Sequence, residues 1–287
     1  MFNTTSPEPI AIGVCTIGLS GFGLLLTILV ILAMTKAQSK LTSCYILIIS
    51  LAIADSLHLT IYFLYIGWAI LFQRRFLSQP VEAMVFRSTT ILYFSNVNHM
   101  LVIALNRCVA VLSPVKLYRM LFGDSIKGIV STVWIAAAIF SIPRFFDCCH
   151  LGFIPEEYYY GSLAQSLNYY ALFDILFSYS AIALSVAFYL AIYFRARKVR
   201  NMQLTASSTL QKEIRVTVQM FLITIALLLQ NLCFNILPSI SSNRFVYFSL
   251  ILTTILNSFI NCLIYVVFSS QIRNSLFRLL RIDKSAQ

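Results

Sequence analysis

The chain has 287 residues, 59% of them hydrophobic and 11% charged, with a formal net charge of +11 and a mean hydropathy of +0.84. A soluble domain carries roughly 25% charged residues, so this composition cannot clothe a water-facing surface. The basic excess is concentrated in a few short segments, which suits an anionic membrane face and leaves no case for nucleic acid.

Seven apolar runs follow one another, near 10–34, 44–71, 83–106, 126–143, 167–194, 214–238 and 245–268. Each has about the 20 residues that cross a ~30 Å hydrocarbon core at 1.5 Å per residue. The runs are continuous, not alternating in ~10-residue segments, so they are helices and not barrel strands. "SSQIRNSLFRLL" follows the last run, with Ile272, Leu276, Phe277 and Leu280 apolar among Arg273, Arg278 and Arg281. It reads as a short amphipathic helix over 269–281, lying on a membrane surface. The expected fold class is an all-α membrane protein, a single seven-transmembrane bundle spanning 1–287.

Lysine and arginine set the topology. One set of loops and helix ends holds Lys36, Lys40, Arg107, Lys116, Arg119, Lys127, the cluster "RARKVR" at 195–200, Lys212, Arg215 and the basic residues after 268. The other holds Arg74, Arg75, Arg87, Arg144 and Arg244. The first side is therefore expected to be cytoplasmic. That puts the amino terminus outside and the carboxyl terminus inside a multi-pass membrane protein. The glycosylation acceptor at Asn3, in "NTT", falls on the outer side.

Helical rise places several polar residues at one depth. Asp55 lies about 11 residues into the second run and Asn96 lies 11 before Arg107, so both sit about 16 Å from the cytoplasmic face. Asn257, Ser258 and Asn261 fall roughly 12–18 Å from that face by the same rise. A carboxylate at such depth costs at least ~2.5 kcal/mol to insert and should face the bundle interior, where these residues are its partners.

The motifs extend this reading. "NRC" at 106–108 ends the third run, with Pro114 eight residues after Asn106. "LAIAD" ends at Asp55, Trp134 precedes Pro143 by nine residues, and "NCLIY" runs from Asn261 to Tyr265. In this order, along the whole chain, the sequence resembles the rhodopsin-like G-protein-coupled receptors. "NRCVAVLSP", "LFGDSIKG" and "QKEIRVTVQ" make it most similar to the nematode serpentine chemoreceptors of classes x and t.

The resemblance implies a receptor that binds a small-molecule or peptide ligand outside and activates a heterotrimeric G protein inside, by outward movement of the sixth helix. It implies that Arg107 meets the G protein, that Glu213 pairs with Arg107 at rest, and that Tyr265 and Asn261 belong to the activation machinery. Asn106 stands where the family has an acid restraining the arginine, so a loosely held resting state is expected. The family also holds a sodium ion beside the matching carboxylate. Here the sodium set would be Asp55, Asn96, Asn257, Ser258 and Asn261, with a buried hydrogen-bond network without any ion as the alternative.

Three departures stand out. Glu82 occupies roughly the place of the outer cysteine of the third helix, the loop "DCCH" at 147–150 has no evident disulfide partner, and the sixth run lacks the family's Cys-Trp-x-Pro hinge, with Asn231 near the Trp position.

Helical spacing puts Thr89 and Tyr93 on the Arg107 face of the third run. Tyr170 and Asp174 lie in the outer half of the fifth, Asn231 and Asn235 in that of the sixth, and Tyr62 on the second. Aromatic walls with a few polar groups are what small-molecule pockets use, so these seven are the ligand-site candidates. A transporter or channel is the alternative, although paired broken helices in two halves are not evident. An enzyme is not expected: His58, His99 and His150 lie at scattered depths and form no zinc-ligand pattern. No other cofactor is implied, and the absence of lysine from 245–268 argues against a retinal Schiff base.

Overall fold

The computed structural model describes residues 7–37, 43–123, 125–146, 151–162, 169–202, 208–241 and 243–280. Among the described residues, seven helices are long and apolar enough to cross a membrane: Pro7–Lys36, Ser43–Phe72, Gln79–Leu112, Ile126–Phe145, Tyr169–Lys198, Ile214–Ile240 and Arg244–Phe268, here spans 1 to 7. Span 3 runs through the middle and packs against spans 2, 4, 5 and 6. Span 1 closes the ring between spans 2 and 7.

Local chemistry sets the ends. Pro80 and Glu82 sit in the first turn of span 3, where a missing N–H costs nothing and a carboxylate favours the helix dipole. The helix stops at Leu112 with Ser113 extended, as the residue before a proline prefers. Span 2 ends on Gln73, which adopts a left-handed conformation with φ of 50°. Asn243 caps span 7 by accepting from the N–H of Phe245 at 3.3 Å.

Four elements lie beyond the sequence expectation. Span 2 contains a π turn at Tyr62–Ile66, closed by the Gly67 N–H donating to the Tyr62 carbonyl, and its widened turn re-aims Tyr62 and Tyr65 into the bundle. Span 4 tightens into a 3-10 turn at Ile142–Phe145. A short helix, Val115–Phe122, follows span 3. Between spans 4 and 5 lies an antiparallel hairpin of β1 (Leu151–Ile154) and β2 (Tyr159–Ser162), with Ile154 opposite Tyr159.

The surface helix runs from Ser270 to Leu280 and packs along span 1. Ile272 and Leu276 are buried and Phe277 is exposed, as the amphipathic pattern requires. Arg273 bonds the carbonyls of Val266 and Val267, at 3.4 and 3.0 Å, satisfying the carboxyl end of span 7.

Spans 1 and 2 approach unusually closely. A Cβ added at Gly13 would lie 2.7 Å from the Leu71 Cα, a backbone atom. Gly13→Ala is expected to destabilise the fold by about 1–3 kcal/mol, the usual cost of overpacking. A thermal unfolding midpoint measured in detergent checks this, with Gly18→Ala as control because Gly18 has open space around it.

Candidate functional site

The bundle has a cavity of about 340 Å³ at the end opposite Arg107, reached by spans 2, 3, 5, 6 and 7. Six of the seven sequence candidates line it: Tyr62, Thr89, Tyr93, Asp174, Asn231 and Asn235. The Tyr93 hydroxyl lies 2.5 Å from Asn231 Oδ1 and 2.7 Å from Ser178 Oγ, joining spans 3, 5 and 6 in one polar contact. Tyr170 does not line the cavity. Its hydroxyl donates to the Phe140 carbonyl at 2.8 Å, and its ring lies under the Arg144 guanidinium at 4.7 Å. It is a wall residue, turned toward span 4 because the cation and the carbonyl both lie there.

The cavity also has members the sequence reading left out. Arg144, counted there as a loop charge, is 7% exposed and reaches Asp174 Oδ2 at 3.5 Å. His58, Thr90, Gln230 and Thr254 form the inner part of the lining. Gln230 Nε2 donates to Thr254 Oγ1 at 3.3 Å, while Gln230 Oε1 and Thr90 Oγ1 are buried with no hydrogen-bond partner.

The β hairpin covers part of the mouth. The Tyr159 ring meets that of Tyr247 edge-on at 4.8 Å, and Phe153 packs on Phe86 of span 3 at 6.0 Å. The hairpin turn holds Tyr158 at φ 56°, an unfavourable region for a bulky residue. Complete burial of its ring and a hydrogen bond from its hydroxyl to Glu8 at 3.2 Å offset that cost. Burial, then the Glu8 carboxylate, push the Tyr158 phenol up to about 12, so it remains a donor at neutral pH. Gln73 Nε2 ties the turn down through the Pro155 carbonyl at 3.2 Å. Glu8 also pairs with Arg244 of span 7.

Glu82, near the place of the expected cysteine, is buried and accepts from Tyr65 of span 2 at 2.7 Å, with Arg75 at 3.6 Å. Polar and aromatic contacts thus anchor this end of the molecule among the described residues. Cys148 and Cys149 lie outside the described residues, as does Asn3, and Cys15, Cys108, Cys233 and Cys262 are free thiols.

One helical turn inward of His58, Asp55 is fully buried. Its Oδ1 accepts from Asn96 Nδ2 at 3.0 Å and its Oδ2 from Asn261 Nδ2 at 2.8 Å. Ser258 also hydrogen-bonds it. The side-chain oxygens of Asn96, Asn257 and Asn261 are buried and accept from no donor. Four of the five residues predicted from depth, Asp55, Asn96, Ser258 and Asn261, therefore meet and tie spans 2, 3 and 7 together, and Asn257 is buried beside Ser258 in the chain.

A second buried network joins spans 2, 3 and 4. The indole N–H of Trp134 donates to Ser50 Oγ at 3.0 Å, which lies 2.8 Å from His99 Nε2, and His99 Nδ1 is 2.7 Å from the Ser95 carbonyl. One tautomer satisfies all three contacts: Nδ1 carries the proton, and Ser50 donates to Nε2.

At the basic end, Arg107 is 5% exposed and donates twice to Asn106 Oδ1, at 2.7 Å from Nη2 and 3.2 Å from Nε. Asn106 thus retains a restraining contact through its neutral carbonyl. Tyr265 of span 7 and Tyr189 of span 5 are buried in the same hydrophobic cluster. Glu213 belongs to the helix that opens span 6, but its side chain lies outside the described residues, so the expected lock with Arg107 has no geometry here.

A family model described as serpentine type 7TM GPCR chemoreceptor Srx matches residues 17–268. The chain belongs to the Srx receptor family. The crystal structure of squid rhodopsin superposes with a TM-score of 0.79 at 14% identity, covering 95% of this chain and 85% of that one. At that identity the likeness speaks for the fold alone. No curated protein matches the sequence. The Srx receptor thus keeps the seven-helix frame, and its Asp55 cluster and Asn106–Arg107 pair sit on the successive turns of spans 2, 3 and 7 that line the way from cavity to basic end.

Proposed function

We propose that this Srx receptor binds a small extracellular ligand in the cavity between spans 2, 3, 5, 6 and 7 and responds by activating a heterotrimeric G protein at its basic end. The observation that carries this is the cavity of about 340 Å³, walled by aromatic rings and a few polar groups and partly covered by the hairpin. A concave, largely apolar site of that size is what small-molecule recognition uses. The basic end faces the cytoplasm of the plasma membrane in this reading, with the amino terminus outside, as the lysine and arginine bias supports.

Ligand binding favours an arrangement in which the basic end of span 6 stands away from span 3. Arg107, released from Asn106, then contacts the G protein. Asn231 and Gln230 put the lever of span 6 in the cavity wall, hydrogen-bonded to Tyr93 and Thr254. A ligand that rearranges either contact biases span 6 directly.

The Asp55 cluster fits a sodium ion. A buried carboxylate with three amide oxygens that accept from no donor is an oxygen-rich, electron-rich site suited to a hard cation. Asp55, Asn96, Asn257, Ser258 and Asn261 would hold it, and the ion would neutralise the buried carboxylate charge.

Purified receptor in lipid nanodiscs, tested for nucleotide exchange on a panel of G proteins, decides the reading. Exchange on at least one of them supports it. Substrate flux in receptor-containing liposomes, without exchange, would replace it with transport. The same assay tests the restraint on Arg107. Asn106→Asp would replace a neutral acceptor with a charged one, roughly doubling the strength of a hydrogen bond to arginine. Ligand-free exchange is expected to fall several-fold, and equal basal rates would count against it.

A further inference from the structure

We infer that the cavity selects ligands of zero net charge carrying both a cationic and an anionic group, a zwitterionic head of the amino-acid type. This inference rests on the reading of the cavity as the ligand site.

Among the described lining residues, Arg144 and Asp174 are the guanidinium and the carboxyl side chain, and His58 is the imidazole. Arg144 is 7% exposed, so its charge is taken out of water. The pair comes from two different elements, the 3-10 turn that ends span 4 and the outer half of span 5. Their N···O separation is 3.5 Å, longer than the 2.7–2.9 Å of a tight charge-assisted bond. The pair is thus one opposite-sign dipole, loosely closed, in the wall of an otherwise apolar cavity.

Charge balance then ranks the charged ligands that can enter. A ligand bearing only a carboxylate gains Arg144 but brings a second negative charge against Asp174, and the cavity ends with an uncompensated anion out of water. A ligand bearing only an ammonium meets the mirror problem at Arg144. A buried charge without its partner is strongly disfavoured. A zwitterion places its carboxylate on the guanidinium and its ammonium on Asp174, and every charge keeps a counter-charge. The remaining walls match the rest of such a molecule: Ile175, Phe234, Leu250 and Tyr247 offer apolar surface for a side chain. Gln230 Oε1, over nine-tenths buried and without a donor, takes a hydroxyl or N–H at its far end.

The test uses three probes with one skeleton: L-phenylalanine, 3-phenylpropanoate and 2-phenylethylammonium. Binding to full-length receptor in nanodiscs is read by ligand-dependent shift of the unfolding midpoint, titrated to millimolar concentration. Wild type is expected to prefer L-phenylalanine by roughly ten-fold or more over either singly charged probe, the loss of one charged hydrogen bond being worth about that factor. Asp174→Asn shifts the preference to 3-phenylpropanoate, and Arg144→Gln shifts it to 2-phenylethylammonium. The double variant, which leaves no unpaired charge and so guards against misfolding of the single ones, binds the three probes within about three-fold of one another. A wild-type preference for a singly charged probe, an unchanged preference in the variants, or no binding of any probe overturns the inference. Nucleotide exchange keeps the two readings apart. Charge-selective binding without exchange defeats only the receptor mechanism, and exchange driven by a singly charged ligand at this cavity defeats only the charge rule.

Discussion

Arg107→Ala is expected to abolish ligand-driven nucleotide exchange while leaving ligand binding in the outer cavity within about three-fold of wild type. The separation follows from position. Arg107 lies at the basic end of span 3, five turns from Thr89 on the same helix face, and it touches no residue of the cavity lining. A desolvated arginine anchor at a protein interface commonly supplies about 2–4 kcal/mol, which corresponds to roughly 30- to 1,000-fold in exchange efficiency. Arg107→Lys tests the chemistry: it keeps the charge but loses the planar fork that gives Asn106 Oδ1 two donors. Exchange in that variant is expected to recover only in part. The unfolding midpoint of either variant should stay within about 4 °C of wild type, since the change is of order 1 kcal/mol in a chain of this size. Retained exchange in Arg107→Ala, with normal expression, would show that coupling does not pass through this residue.

The membrane spans were legible because their signal is composition over about 20 residues; six of the seven helices cover their predicted runs, and the described part of the fifth begins at Tyr169, two residues inside its run. The Asp55 cluster was legible because helical rise converts position into depth, and a buried carboxylate must find partners at its own depth. Six cavity residues were legible from the same periodicity. What remained hidden depends on interactions without a periodic signature. Arg144 counted as a loop charge because it follows Pro143 at the end of a run; only the fold brings Asp174, thirty residues later, beside it. Tyr170 looked like a pocket aromatic, but a cation and a backbone carbonyl on span 4 drew it the other way. The hairpin has too short an alternation, four residues per strand, to stand out among apolar neighbours. The π turn at Tyr62–Ile66 has no proline or repeat to announce it. Glu82 was noted only as a missing cysteine, yet its acceptor for Tyr65 is the polar link between spans 2 and 3 at that end.

Asp55→Ala is expected to be the most destabilising single substitution in the bundle interior. It removes the acceptor for Asn96 Nδ2 and Asn261 Nδ2 together, in surroundings where both amides are at most 6% exposed. Each stranded donor costs about 1–3 kcal/mol, and the vacated volume adds to that. A loss of roughly 3–5 kcal/mol follows, with spans 2, 3 and 7 losing their shared contact. Asp55→Asn separates packing from charge. Its shape is nearly unchanged, but one acceptor becomes a donor facing an amide N–H, so a smaller loss of about 1–3 kcal/mol is expected. The charge itself is read with salt. If the cluster holds sodium, replacing choline chloride with sodium chloride at constant ionic strength raises the unfolding midpoint of wild type, because a cation bound only by the folded state stabilises it by mass action. The same exchange does nothing in Asp55→Asn, where the oxygen set keeps its geometry and loses its charge. Potassium serves as the size control, the larger cation fitting a site closed by three spans less well. An identical midpoint in both salts for wild type would leave the cluster as a neutral hydrogen-bond network that binds spans 2, 3 and 7 without an ion.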